Sequence, residues 1–158
     1  MNTDTRPLKA AAAMAAGLLM LSTALVSASP GSGVTATIRA DGTVAGATNV
    51  VIPNSIKLQA KHGLRVVNQE LTIAPAGHTG WHSHPGPALV TVKSGLFRYQ
   101  AADCSYVDYG PGETVVDPGG GVVHIGRNVG AGTLELDVTY LVPPATGLRI
   151  DAVAVDCP

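Results

Sequence analysis

After residue 33 the chain consists of short apolar runs broken by glycine and proline, and no long stretch has the 3.6-residue period of an amphipathic helix. The 158 residues include 19 Gly and 11 Pro, yet 46% of them are hydrophobic, so the breaks indicate tight turns rather than disorder. Runs such as Ser55–Lys61 and Leu134–Val142 alternate apolar and polar residues. This pattern predicts a single all-β domain, either a sandwich or a barrel.

The turn residues predict where individual strands end. We expect Val34–Ala40 to stop at an Asp41-Gly42 turn and Val66–Ala74 to stop at Pro75. Ala88–Lys93 and Leu96–Ala101 flank Ser94-Gly95, which predicts a tight hairpin. Leu148–Val155 is expected to form an edge strand.

Three of the five histidines and the only tryptophan lie in the segment Gly77–Pro87. His82 and His84 are two residues apart, so on an extended backbone both imidazoles project from the same side. Two such imidazoles form half of a site for a divalent metal. Trp81 has the opposite parity and is expected to pack in the core, with a place in a pocket wall as its alternative role.

A second segment with a histidine is Gly112–Asn128. Together, Gly77–Pro87 and Gly112–Asn128 resemble the two motifs of the cupin superfamily. The first motif matches at Gly77, His82, His84 and Gly95, and the second at Gly112, Pro118, Gly121, His124 and Asn128. The resemblance spans about residues 66–142 and implies a double-stranded β-helix (jelly-roll) barrel, with motifs at 77–95 and 112–128. We therefore expect residues 55–158 to form one cupin domain, preceded at 29–54 by a leader and the first strand or strands.

The resemblance departs from the family pattern in two places. The glutamate ligand of the family falls where this chain has Ala88 and Leu89, and one extra residue separates Pro118 from Gly121. The implied metal ligands are therefore His82, His84 and His124. Three neutral imidazoles suit iron, zinc, copper or nickel and leave coordination positions open.

Other residues near these motifs are weaker candidates. His78 is a candidate fourth ligand, although an exposed loop position is the reading we favour for it. Glu70 and Glu135 are the first choices for a general base if they point into the barrel. Glu113 and Asp117 are assigned to turns. The alternative to a metal site is a pocket that is merely lined by histidines.

The two ends of the chain suggest export. Residues 1–28 resemble a signal peptide, with Arg6 and Lys9 before an apolar stretch and small residues before Ser29; an uncleaved membrane anchor is the alternative. The only two cysteines, Cys104 and Cys157, are expected to form a disulfide in an oxidising compartment, rather than to bind a metal as thiolates. We therefore expect a secreted or periplasmic protein without a membrane segment after cleavage.

Two functions from different classes are consistent with these features. The first is a metal-dependent enzyme, dioxygenase-like, acting on a small molecule in a pocket of leucine, valine and Phe97. The second is a non-catalytic protein that binds a small ligand, with a structural metal or none. A net charge of -1 and scattered basic residues give no reason to expect nucleic acid as a partner. A homodimer is expected only by analogy with cupins.

Overall fold

The computed structural model describes residue 1 and residues 28–157, and within these the regular structure is entirely β. Apart from its two end residues, the predicted signal peptide at 1–28 lies outside the described residues. Across the described part of the chain, no helix has the length and apolar character needed to cross a membrane. The strands are β1 (Ser32–Val44), β2 (Thr48–Ile52), β3 (Ile56–Ala60), β4 (Leu64–His78), β5 (His82–Ser83), β6 (Ala88–Ser94), β7 (Phe97–Ala101), β8 (Tyr106–Tyr109), β9 (Thr114–Asp117), β10 (His124–Asn128), β11 (Leu134–Val142) and β12 (Ile150–Asp151).

Ten of these strands form one antiparallel sheet that closes into a nearly complete barrel. One half contains β9, β6, β11, β4 and β1 side by side, and the other contains β8, β7, β10, β5 and β12. The halves join where Arg127 of β10 pairs with His78 at the end of β4. β2 and β3 form a separate two-stranded sheet. The predicted all-β jelly-roll barrel is confirmed.

The barrel interior is filled by the alternating apolar positions that the sequence pattern indicated. On β11 the residues Leu134, Leu136, Val138, Tyr140 and Val142 are all buried, whereas the residues between them are more exposed. They pack with the inward residues of neighbouring strands in one cluster, which includes Val67, Ile73, Val90, Val92, Phe97 and Val115. This core holds the two halves of the barrel together.

The predicted hairpin at Ser94-Gly95 is wrong. β6 pairs with β11 and β9, whereas β7 pairs with β10 and β8, so the two strands do not pair with each other. Gly95 has a φ of +91°, and a Cβ there would lie 2.9 Å from the Cα of Leu134. A glycine is needed because the chain turns tightly against β11 as it crosses from one half to the other.

Two predicted strand ends are also wrong, because long-range pairing overrides the local turn signal. β1 continues through Asp41-Gly42, since both residues pair with β4. β4 continues past Pro75 to His78 by means of a register shift against β1, in which Ala76 adopts a positive φ of 60°. At the other end of the chain, the predicted edge strand Leu148–Val155 is reduced to the short β12 and a single bridge from Ala28 to Val153.

Candidate metal centre

The three histidines predicted as ligands meet inside the barrel. His82 begins β5, His84 follows that strand, and His124 begins β10, directly opposite His82 in the pairing of the two strands. All three are buried, with exposed fractions of 4–5%. One ligand nitrogen from each lies within 4.8 Å of the others, a grouping that can hold a metal ion.

Every one of these imidazoles has an acceptor at its Nδ1 atom. His82 donates to the carbonyl oxygen of Gly80 at 2.8 Å, and His84 donates to that of Leu148 at 2.5 Å. His124 lies 3.0 Å from a carboxylate oxygen of Asp117. Because carbonyl and carboxylate oxygens only accept, Nδ1 carries the proton in each neutral ring. The lone pair is then on Nε2, which is the atom left for a metal.

The environment keeps His82 and His84 in the neutral form that a metal requires. Burial, together with the neighbouring His124 and Arg149 side chains, lowers the pKa of His82 to about 3. Burial also lowers the pKa of His84, against the hydrogen bond to Leu148. Both rings can therefore bind a cation at neutral pH without first losing a proton.

Asp117 is the residue that sequence reasoning missed. Its carboxylate is 1% exposed and accepts hydrogen bonds from the Tyr99 hydroxyl at 2.9 Å and from the Gly119 N–H at 2.7 Å, besides its contact with His124. Burial raises the pKa of Asp117, but the bonds from His124, Gly119 and Tyr99 outweigh burial and lower it. The Tyr99 ring also stacks on His124, with ring centroids 4.8 Å apart. Asp117 and Tyr99 thus fix the orientation of His124.

Exposed and buried residues alternate along β9, and this alternation places Asp117 on the inner face. Val115 and Asp117 are two apart and both buried, whereas Thr114 and Val116 are exposed. The turn begins only after Asp117, where Gly119 adopts a φ of +64° and a Cβ would lie 2.2 Å from the Gly86 carbonyl carbon. Asp117 is therefore the last residue of β9, and its predicted placement in a turn is wrong.

The proposed general bases point away from the pocket. Glu70 forms ion pairs with Arg39 and Lys93, and these contacts lower its pKa. Its neighbours in sequence, Gln69 and Leu71, line the pocket instead. Glu135 lies between the buried Leu134 and Leu136 and so projects from the outer face of β11. Neither residue faces into the barrel, so neither meets the condition for a general base there.

His78 and Trp81 lie beside the centre without joining it. His78 is outside the three-histidine group, and its Nδ1 accepts a hydrogen bond from the Gly80 N–H at 3.2 Å. Trp81 is 3% exposed, in agreement with the expected packing role, and it does not line the histidine pocket. Its carbonyl oxygen accepts a hydrogen bond from Ala152 of the C-terminal segment.

The histidines open onto an apolar cavity of about 240 Å³. Its walls come from both halves of the barrel and include Val34, Leu71, Val90, Phe97, Leu136, Val138 and Leu148. The polar side chains around it include Gln69, Tyr140 and Arg149. The Tyr140 hydroxyl donates to Gln69, and burial raises the pKa of Tyr140 to about 12, so it remains protonated at neutral pH.

The C-terminal segment closes one side of the centre. Ile150 and Asp151 pair with Ser83 and His82 of β5, and Leu148 supplies the acceptor for His84. A disulfide between Cys104 and Cys157 ties the end of this segment to the β7–β8 turn, as the cysteine count indicated.

The donor set fits a divalent transition metal. Ligands of a tetrahedral metal at roughly 2.1 Å are about 3.4 Å apart, so the rings would approach one another by at most about 1.4 Å to bind one. Zinc, copper, iron and nickel all accept imidazole nitrogen.

Comparisons with known proteins agree with the architecture. The family profile described as "Cupin domain" matches residues 69–142, which include both histidine motifs. No curated protein matches the chain significantly.

Solved structures resemble the chain at low sequence identity. A cupin-like protein from Thermotoga maritima is 20% identical over 60% of this chain and 79% of its own, with a TM-score of 0.49. A protein with a double-stranded beta-helix domain from Klebsiella pneumoniae is 22% identical over 56% of this chain and 76% of its own, with a TM-score of 0.49. The polyketide cyclase RemF from Streptomyces resistomycificus is 21% identical over 56% of this chain and 61% of its own, with a TM-score of 0.48.

The family match across both motifs, the nearly closed antiparallel barrel and the three clustered histidines lead to one conclusion. Residues 69–142 of this chain form a domain of the cupin superfamily.

Proposed function

We propose that this cupin binds one divalent transition metal through the Nε2 atoms of His82, His84 and His124, and that it holds a small molecule beside the metal in the apolar cavity. The observation that carries the proposal is the set of Nδ1 contacts. Gly80, Leu148 and Asp117 each contact the Nδ1 atom of one ring. The lone pairs on the three Nε2 atoms are then left for a metal. Contacts of this kind orient metal-binding histidines and fix their tautomers.

The chain's own residues would divide the work at such a site. When bound, the metal would supply a Lewis acid with open coordination positions. Asp117 would keep the proton on Nδ1 of His124, and the apolar walls would hold the body of the small molecule and exclude water. Asp117 and Tyr99 are thus assigned to the orientation of His124, and the apolar wall to binding.

We propose a metal-dependent oxidoreductase of the dioxygenase type as the first candidate activity. Among the described residues that line the cavity, Asp117 is the only carboxylate, and its oxygens are engaged by His124, Tyr99 and Gly119. The cavity therefore favours chemistry that takes place at the metal over chemistry that needs a free carboxylate base. The same observation favours the second candidate, a protein that binds a small ligand without transforming it.

Metal analysis tests the binding site itself. The chain from Ser29 onward, reconstituted with iron, zinc, copper or nickel and freed of excess metal, is expected to retain about one equivalent of at least one of them. Elemental analysis showing less than about a tenth of an equivalent of all four would contradict the proposal. His84→Ala should lose the metal and keep the fold, whereas the matched control His62→Ala, at an exposed position, should keep both.

Oxygen uptake separates the two candidate activities. With a panel of small molecules that bind the protein, an iron-loaded sample should consume dioxygen and a zinc-loaded sample should not, if the protein is an oxidoreductase. Binding without uptake in the iron form would instead support the ligand-binding protein.

We also propose that the protein works outside the cytoplasm, either secreted or in a periplasm. The Cys104–Cys157 disulfide and the signal-like pattern of residues 1–28 support this. Amino-terminal sequencing of the protein from its native host should start near Ser29, and a first residue at Met1 would contradict cleavage.

A further inference from the structure

The cavity contains one cationic side chain that the metal site does not use. Arg149 lines the cavity, and its side chain is 33% exposed at the rim. Its Nε donates to Asp151 at 2.5 Å, and in the described residues the two terminal nitrogens have no hydrogen-bond partner. These two donors are therefore available to a ligand.

The backbone around Arg149 is fixed against the strand that carries the histidines. The residue before it, Leu148, accepts the hydrogen bond from His84. The two residues after it pair with Ser83 and His82. Arg149 is thus held between two attachments to the metal-binding segment, and it lines the same cavity as His82 and His84.

With a divalent metal bound, the metal and Arg149 would carry three positive charges, against the two negative charges of Asp117 and Asp151. Three neutral imidazoles leave a divalent cation without an anionic ligand, because Ala88 stands where the family pattern has glutamate. Asp117 lines the cavity, but its charge is already shared among three donors. In an apolar cavity such an excess of positive charge is poorly screened, so an anion in the cavity would be strongly favoured.

We propose that the cavity binds a small organic carboxylate, with its oxygens between the three-histidine centre and the guanidinium of Arg149 and its apolar body against Val90, Phe97 and Leu136. The inference rests on the proposed metal site and adds the ligand class to it. A volume of about 240 Å³ is below the roughly 300–1,000 Å³ of pockets for drug-sized ligands. The class is therefore a short aliphatic or single-ring aromatic acid.

Matched carboxylate and amide pairs test the charge preference, since each pair has nearly the same shape. Calorimetric titration of the zinc-loaded protein would use acetate with acetamide, hexanoate with hexanamide, and benzoate with benzamide. At least one carboxylate should bind about tenfold or more tightly than its amide, because a charge-assisted contact to the guanidinium and the metal is lost in the neutral partner. Equal affinities within all three pairs would overturn the proposal.

Variants of the arginine assign the preference to its side chain. Arg149→Gln should weaken the preferred carboxylate by about tenfold and leave the amide and zinc affinities unchanged, whereas Arg149→Lys should lose less because it keeps the charge. Asp151→Asn is the matched control and should bind the carboxylate at least as tightly as the parent protein, since it removes the competing negative charge. A carboxylate affinity unaffected by Arg149→Gln would overturn the assignment.

Zinc content measured on the same samples distinguishes failure of the anion subsite from failure of the metal site. A protein that retains zinc but shows no carboxylate preference contradicts the anion subsite alone. A protein that retains no zinc overturns both the metal site and the inference built on it.

Discussion

Asp117 lies directly opposite Ala88 in the antiparallel pairing of β9 with β6. Opposed residues of an antiparallel pair share a face of the sheet, and both of these side chains are buried on the inner face of the barrel. Ala88 occupies a position where the cupin pattern has a glutamate ligand. The chain therefore has no carboxylate at that position. It has one on the adjacent strand instead, and this carboxylate contacts Nδ1 of His124.

The carboxylate of Asp117 is therefore expected to orient the ligand His124 instead of binding the metal itself. Asp117→Asn keeps the size of the side chain but removes its charge. The new amide N–H can donate to Nδ1 of His124, which would place the ring proton on Nε2, the atom needed for the metal. We expect metal affinity to fall by about 10- to 100-fold with the fold retained. Tyr99→Phe removes only one donor to Asp117 and should have a smaller effect in the same direction.

Competition with a chelator of known affinity measures both losses. Glu135→Gln is the matched control, because Glu135 lies on the outer face of the barrel and should leave metal affinity unchanged. An Asp117→Asn protein with the parent's affinity would show that His124 does not depend on this contact.

The disulfide is predicted to support both the fold and the metal centre. Replacing Cys104 and Cys157 with serine opens a loop that spans 53 residues, which should lower the free energy of unfolding by roughly 3–4 kcal/mol. Because β12 is only two residues long, the segment that carries Leu148 and Arg149 should then open more often.

Urea unfolding and metal titration of the double variant measure these effects separately. Weaker metal binding is expected, since His84 loses its fixed acceptor whenever the segment opens. Chemical reduction of the parent protein should reproduce both changes. If the double variant bound metal with the parent's affinity, the segment would not depend on the disulfide for its attachment.

The metal-free protein should lose stability as the pH falls from about 6.5 to about 5. The folded-state pKa of His82 is about 3, below its ordinary value of 6.5, and that of His84 is also lowered. In this range the unfolded chain takes up protons that the folded chain does not, so unfolding becomes easier by up to about 1.4 kcal/mol per pH unit for each such histidine. Above about pH 7 these groups contribute no pH dependence.

Urea unfolding of chelator-treated protein at several pH values checks this prediction. The interval ends at about pH 5 so that the ordinary titration of carboxylates adds little. His82→Gln should reduce the slope, and His62→Gln is the exposed control. A free energy of unfolding that is constant between about pH 5 and 6.5, or that rises as the pH falls, would contradict the neutral, buried state of His82.

The sequence was most informative where the signal is local and periodic. The spacing of His82 and His84 predicted their shared side, and the alternation of Leu134–Val142 predicted the whole of β11. The resemblance added His124, which is too distant in sequence for spacing alone to place. The predictions for His82, His84 and β11 held because they rest on the period of an extended backbone.

The sequence was least informative about strand pairings and side-chain contacts that depend on residues distant in the chain. Ser94-Gly95 has the composition of a hairpin turn, but β6 and β7 each find other partners on both edges. The orientation of Glu70 depends on Arg39 and Lys93, which lie on two other strands. The unassigned role of Arg149 likewise depends on how β12 attaches to β5. None of these pairings is encoded in a single stretch of sequence.

The central claim is that three imidazoles are protonated at Nδ1 and present Nε2 to one metal. A long-range proton–nitrogen correlation spectrum of isotope-labelled protein, recorded with and without one equivalent of zinc, tests this atom by atom. We predict that His82, His84 and His124 show the Nδ1–H tautomer without zinc, and that zinc shifts the Nε2 resonances of these three rings while His62 and His78 stay unchanged. Protonation at Nε2 in the metal-free protein, or zinc-induced shifts at His62 or His78 instead, would contradict the account.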